Sequence, residues 1–385
     1  MLKRNIILIY IYGFLTNFLL YRSCDTLYYL EKGVSSSGYI LFIVISYFIS
    51  LLVQVPSGIL ADKYNKKKIL LFSQSLVLLS IILFIVADSY WLLVLAIIIQ
   101  AFQSAFAAGM TNGIIHQSLD DKKSFSKALF YKSVFIYSGY IIAMLLGGYV
   151  GNFSLVAMYY ISLIPVIINF IVIGLLDNTK LPAPETTRKR EILKDALSVI
   201  RKNKIIISMF LIAGFNFACL TIVAESHPEY AANLGVSPFI IGIYTAIMCL
   251  FDIIGEYLCS KEKYKKKNLL LVPFCMGISV LIIGLLNNVY GIIFIVLIQF
   301  FFAMYSNSMY TTLHSLVSDK SRVTVESILS LVVSGFGILL GLLVSVITKF
   351  LAISNTYIIL GIFSIIYTLI ILIWSACYKA YQGKF

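Results

Sequence analysis

Ionisable side chains inside long apolar segments are costly, so the few that occur there are the first places to look for chemistry. Arg22 and Asp25 stand three apart near the end of the first apolar segment. On a helix that spacing puts them on one face, where each can neutralise the other. A carboxylate that gains and loses a proton against an arginine is what proton-coupled transport requires. Glu225 and His227, beside Pro228, close a later segment as an outer gate or as interfacial groups. Asp252 and Glu256 follow on the next segment, four apart. Glu256 can reach Lys261 or Lys263, which leaves the deeper Asp252 as a proton or cation site. Arg22, Asp25, Glu225 and Asp252 are therefore the proton-coupling candidates. Catalytic or metal chemistry has little to build on. Cys24, Cys219, Cys249, Cys259, Cys275 and Cys377 are scattered singly with no CxxC spacing. His116 and His314 each end a segment and read as helix-end groups rather than a metal pair. No cofactor, metal or catalytic set is expected.

The elements that must position these groups are membrane helices. Of the 385 residues, 60% are hydrophobic and only 12% charged, with a mean hydropathy of +0.96. A bilayer-spanning helix needs about 20 mostly apolar residues. Twelve segments qualify, near 5–30, 37–61, 69–87, 91–118, 129–151, 153–176, 204–226, 238–258, 269–286, 289–316, 323–348 and 355–378. The formal net charge of +13 invites a nucleic-acid reading, but its distribution argues otherwise. With both termini inside, 27 of the 30 Lys and Arg residues fall on cytoplasmic stretches, leaving Arg22, Lys32 and Lys349 outside. That is the positive-inside pattern, and it orients the chain without any nucleic acid.

One long polar stretch, 177–203, divides the chain into an N-terminal bundle at 1–176 and a C-terminal bundle at 204–385. Within it, Ile192, Leu193, Ala196, Leu197, Val199 and Ile200 form the apolar face of a helix suited to lying in the headgroup region. The halves echo each other. Gly33-Val34-Ser35 returns as Gly235-Val236-Ser237, and His116 as His314. Gly139, Ala143 and Gly147 at spacing four return as Gly337, Gly341 and Ser345. The constant offset predicts a duplicated six-helix unit. The four-spaced small residues, Gly139, Ala143, Gly147, Gly337 and Gly341, suit close helix packing in lipid.

Between the second and third segments, Gly58-Ile-Leu-Ala-Asp62-Lys63-Tyr-Asn65-Lys66-Lys67 resembles the signature loop of the major facilitator superfamily, G-x-L-a-D-r-x-G-r-k. Asn65 replaces the second glycine, as the residue that next best tolerates a left-handed backbone. The segment from Gly139 to Gly148 is similar to the family's antiporter motif, with Ala143 and Met144 in place of its central glycine and proline. Gln100 stands where drug exporters of the family carry an arginine. The resemblance implies an all-α membrane fold of twelve transmembrane helices in two pseudo-symmetric six-helix halves. It implies a gate formed by Gly58, Asp62, Lys63, Lys66 and Lys67, with Asp62 docking on the start of the eleventh helix. It also implies a central cavity lined by helices 1, 4, 7 and 10. Asn17, Gln100, Gln103, Asn216 and Gln299 would supply its hydrogen bonds, and Phe106 and Tyr305 aromatic walls.

The expected function is transport by alternating access, not enzymatic catalysis, in a bacterial cytoplasmic membrane with both termini cytoplasmic. The direction expected is proton-driven efflux of a small amphipathic or lipophilic molecule by a monomer. An uptake symporter or uniporter is the alternative, since the helix 4 arginine and helix 5 proline are absent. A polytopic membrane transferase would need a clustered acid, base or metal set and a sizeable outer loop, and neither is visible. The partners implied are the solute, protons and the lipid bilayer.

Overall fold

The computed structural model describes residues 2–119, 122–177, 189–259, 265–317 and 321–382, without side chains at 54, 55, 57–63 and some helix ends. These residues form helices and no strand. In chain order they are α1 (Leu2–Asn17), α2 (Asp25–Glu31), α3 (Ser36–Lys63), α4 (Lys66–Val86), α5 (Tyr90–Ala107), α6 (Met110–Gln117), α7 (Lys122–Gly151) and α8 (Leu155–Gly174). Then follow α9 (Lys189–Lys202), α10 (Lys204–Asn233), α11 (Pro238–Cys259), α12 (Lys265–Leu286), α13 (Gly291–Leu316), α14 (Arg322–Ile347) and α15 (Ile353–Gln382). In hydrocarbon every backbone N–H and C=O needs an internal partner, and a helix supplies it within one segment.

Ten of these helices are long and apolar enough to cross a membrane. Two of the twelve expected spans are not among these ten. The first is broken into α1, a 3-10 turn at Leu20–Ser23 and α2. In the ninth, the apolar run among the described side chains is Leu271–Leu286, and Leu269 and Leu270 precede it in the sequence. The seventh is longer than expected: α10 continues through Pro228 to Asn233, so Glu225 and His227 lie inside a helix rather than at its end.

Contacts divide the chain into two compact units. Unit one holds Met1–Ser35, Ile45–Glu185 and Val236–Ala246; unit two holds Ser36–Val44, Thr186–Gly235 and Ile247–Phe385. The same packing scheme recurs inside each. In unit one α1 packs on α7 and α8, and α4 on α5 and α8; in unit two α10 packs on α14 and α15, and α12 on α13 and α15. The turns repeat as well. Gly33 and Gly235 both adopt φ +79°, a left-handed conformation that a Cβ would strain. The core of unit one is built from Leu8, Ile9 and Tyr12 of α1 against Leu70 of α4, Ile114 of α6 and Ile173 of α8.

One local expectation is corrected. Asn65 is not left-handed: at φ −61°, ψ 128° it is extended, and its side chain accepts from the Lys67 N–H at 2.9 Å as the N-cap of α4. The helix in the polar stretch, α9, packs on α10 and α14 with Ala196 fully buried.

Candidate functional site

The break in the first span builds the site. No proline or glycine lies between Asn17 and Asp25, so the interruption comes from side chains competing for backbone groups. The Asn17 amide donates to the Gly13 carbonyl at 2.9 Å, taking an acceptor from the last turn of α1. Leu20 N–H then leaves the helix axis and donates to Ser162 Oγ of α8 at 2.9 Å. Small residues on α7 let this irregular backbone come close. A Cβ at Gly139 would collide with the Phe14 carbonyl, and one at Gly147 with the Leu20 carbonyl. Ala143 between them is fully buried against Met144 and Ala246. In unit two, Gly337 is buried on α14 and Gly341 faces the Val44 side chain.

Arg22 and Asp25 hydrogen-bond other groups, although the guanidinium charge still acts on the carboxylate. The Arg22 guanidinium donates to Asn17 Oδ1 at 3.3 Å, while Asp25 Oδ1 accepts its neighbour Thr26 N–H at 2.8 Å. The expected shared helical face does not form, because one residue sits in the 3-10 turn and the other starts α2. Beyond it, α2 is held by an aromatic cluster that sequence reasoning missed. Tyr159, fully buried, stacks on Tyr21 at 4.7 Å and meets Tyr28 and Phe84. Tyr28 donates to the Phe84 carbonyl, and Lys32 Nζ donates to the Ala87 carbonyl at 2.8 Å.

A cavity of ≈ 10 Å³ opens beside the break, about the room for one water or one polar group of a ligand. Four amides line it: Gln74, Gln100, Gln103 and Asn169, with Thr16, Ser80 and Arg22. Each amide donates its nitrogen to the protein. Gln74 bonds the Val166 carbonyl at 2.9 Å, Gln100 bonds Tyr21 Oη at 3.0 Å, Gln103 bonds Ser73 Oγ at 3.3 Å, and Asn169 bonds Thr16 Oγ1 at 3.0 Å. Asn169 is buried, and its Oδ1 has no partner among the described residues. The lining thus offers amide oxygens as acceptors and one guanidinium as donor. Leu19, Val77 and Val166 complete the lining, so the cavity can meet a polar group beside apolar surface.

The remaining expected residues are placed as follows. Gln100 and Gln103 line the cavity. Asn17 closes the helix end instead, and Phe106 meets Phe72 edge-on. In unit two, Asn216 ties α10 to α15: its nitrogen bonds the Ile212 carbonyl and its oxygen accepts from Ser364 Oγ. Gln299 donates to Asp252 Oδ1 at 3.2 Å. Tyr305, buried, meets Phe217, which also contacts Phe302 at 4.9 Å. The side chains of Gly58, Asp62 and Lys63 lie outside the described residues. Lys67 Nζ donates to the Gly174 and Leu176 carbonyls at 2.7 Å each, satisfying the C-terminal end of α8. Lys66 lies along Gly113 of α6. His314 pairs with Glu326 of α14, and His116 sits edge-on to Phe125. Sequence reasoning passed over Glu229, a buried carboxylate one turn beyond Glu225 that accepts from Ser36 and Tyr39. Its four-residue spacing from Glu225 was the available signal.

The family model described as Major Facilitator Superfamily matches residues 6–342. No curated protein matches the sequence. Among solved structures, a point mutant of the nucleoside transporter NupG is similar at TM-score 0.79 with 16% identity, covering 96% of this chain and 99% of that one. The POT family transporter PepTSo is similar at TM-score 0.79 with 12% identity, covering 98% of each chain. A D-xylose-proton symporter is similar at TM-score 0.77 with 13% identity, covering 96% of this chain and 97% of that one. At these identities the likeness concerns the fold.

Proposed function

The chain belongs to the major facilitator superfamily, a multi-pass membrane transporter rather than an enzyme, and we propose that it moves a small polar solute by alternating access, coupled to protons. The observation that carries the solute class is the amide-lined cavity at the break, with Asn169 Oδ1 buried and unpartnered and Arg22 beside it. A hydroxyl or N–H of a solute would satisfy the acceptors, and Arg22 would bond an oxygen of it. Asp25, Glu225 and Asp252 are the carboxylates proposed to exchange protons, and Asp62 the gating residue. Two of the solved neighbours are by name a nucleoside transporter and a D-xylose-proton symporter, which is consistent with a polar cargo.

Efflux of an amphipathic molecule is the second reading. The aromatic contacts of Phe217 with Phe302 and Tyr305 in unit two favour it. The experiment uses the purified chain in liposomes with and without a pH gradient, offered radiolabelled uridine, D-xylose, a dipeptide and the lipophilic cation tetraphenylphosphonium. Gradient-dependent flux of a polar probe is expected. Gradient-dependent flux of tetraphenylphosphonium alone would replace the first reading with the second.

A further inference from the structure

At one end of unit two, α9 turns a charged stripe away from its packing. It rests on α10 and α14 with Ala196 buried and Val199 and Ile200 half-buried. Lys194, Leu197 and Arg201, spaced three and four apart, are exposed on the other side, and Lys202 is exposed beside them. Lys194, Arg201 and Lys202 make no hydrogen bond or ion pair among the described residues. Asp195 is the one acid of α9 whose side chain is described, and Glu326 of α14 is already paired with His314. The stripe therefore sets three cations against one carboxylate, with a leucine 41% exposed between two of the cations.

The span ends beside it give its depth in the bilayer. α10 begins at Lys204, with Asn203 Oδ1 accepting from the Ile205 N–H at 3.0 Å. Lys204 Nζ stands 5.2 Å from the centre of the Trp374 ring. These two residues end the apolar spans Lys204–Asn233 and Ile353–Trp374, both within unit two. A lysine over a tryptophan where two spans end marks a bilayer–water boundary, because an indole and a snorkelling ammonium both settle there. On the apolar side of that level Ile205, Ile370 and Ile373 are exposed. Arg201 and Lys202 come just before Lys204, so the C-terminal cations of α9 stand at headgroup depth. A soluble anion would use the charges and leave Leu197 in water. A phospholipid uses both, its phosphate on the cations and its acyl chains on the leucine and the exposed isoleucines.

We propose that Lys194, Leu197, Arg201 and Lys202 of α9, with Lys204 and Trp374, form a binding site for an anionic phospholipid of the surrounding bilayer. The site does not depend on which solute is carried. The chain holds two tryptophans, Trp91 and Trp374, so Trp91→Phe leaves Trp374 as a reporter inside the site. The full-length variant is reconstituted in phosphatidylcholine bilayers carrying an equal fraction of brominated phosphatidylglycerol or brominated phosphatidylcholine. Fluorescence quenching then gives the relative binding constant of the two lipids. A preference of about 5-fold for phosphatidylglycerol is expected, the gain that one cation near an anionic headgroup gives. Trp374→Phe leaves Trp91, exposed at the start of α5 and three residues from Asp88, where no preference is expected. Lys194→Gln, Arg201→Gln and Lys202→Gln together, read by Trp374, should bring the preference close to none. Asp195→Asn should raise it.

Equal quenching of Trp374 by the two lipids, the same preference at Trp91, or a preference kept in the triple variant would overturn the proposal. Should the triple variant fail to fold, Asp195→Asn decides, and an unchanged preference in it counts against the site.

Discussion

Asn169 is the residue whose placement folding explains least. A buried amide with an idle oxygen costs about 1–3 kcal/mol, and folded proteins seldom keep one without use. Its nitrogen is spent on Thr16, so only the oxygen is left to meet a solute. Asn169→Leu should therefore raise KM for the transported polar probe by about 10-fold, the order of one hydrogen bond in a closed site, with expression and thermal stability held. Initial-rate uptake across probe concentrations gives the answer, and an unchanged KM would remove Asn169 from the solute's path. Asn65 makes the contrast. Its side chain caps α4, so Asn65→Ala should cost about 1 kcal/mol of stability and leave KM alone. Both residues are plain asparagines in the sequence. Only the partners of their side chains separate a cap from a binding group.

At the scale of elements, the break between α1 and α2 decides what lines the cavity, and it was not readable. The sequence there carries no helix breaker, and the interruption depends on Ser162, which is distant along the chain. The small residues of α7 were readable, and their use is now specific: Gly139 and Gly147 admit the Phe14 and Leu20 carbonyls. Gly147→Leu should lower the thermal unfolding temperature in detergent, since overpacking of this kind costs about 1–3 kcal/mol and the obstacle is backbone. Gly174→Ala, where a Cβ meets nothing within 4 Å, should leave it unchanged. Equal effects of the two would show that α7 does not pack as described. The left-handed turns at Gly33 and Gly235 were visible as a repeated tripeptide, because a required positive φ leaves glycine as the ready choice.

For the whole molecule, hydropathy and the offset between halves carried the fold. Both are properties of the solvent and of duplication, and neither depends on side-chain partners. The packing of α1 with α7 and α8 reappears as α10 with α14 and α15, as a duplicated unit requires. Sites were harder, since Arg22 and Asp25 still interact by charge but spend their hydrogen bonds on Asn17 and Thr26, and Glu229 needed α3 to be seen beside it. The account rests on a polar solute whose movement is tied to protons. Its most direct test is proton movement itself, read by pyranine trapped in liposomes that hold the purified chain. Adding uridine, D-xylose or a dipeptide from outside should change the trapped pH for one of them, and tetraphenylphosphonium should not. Entry of a polar probe with no change in the trapped pH would contradict the account.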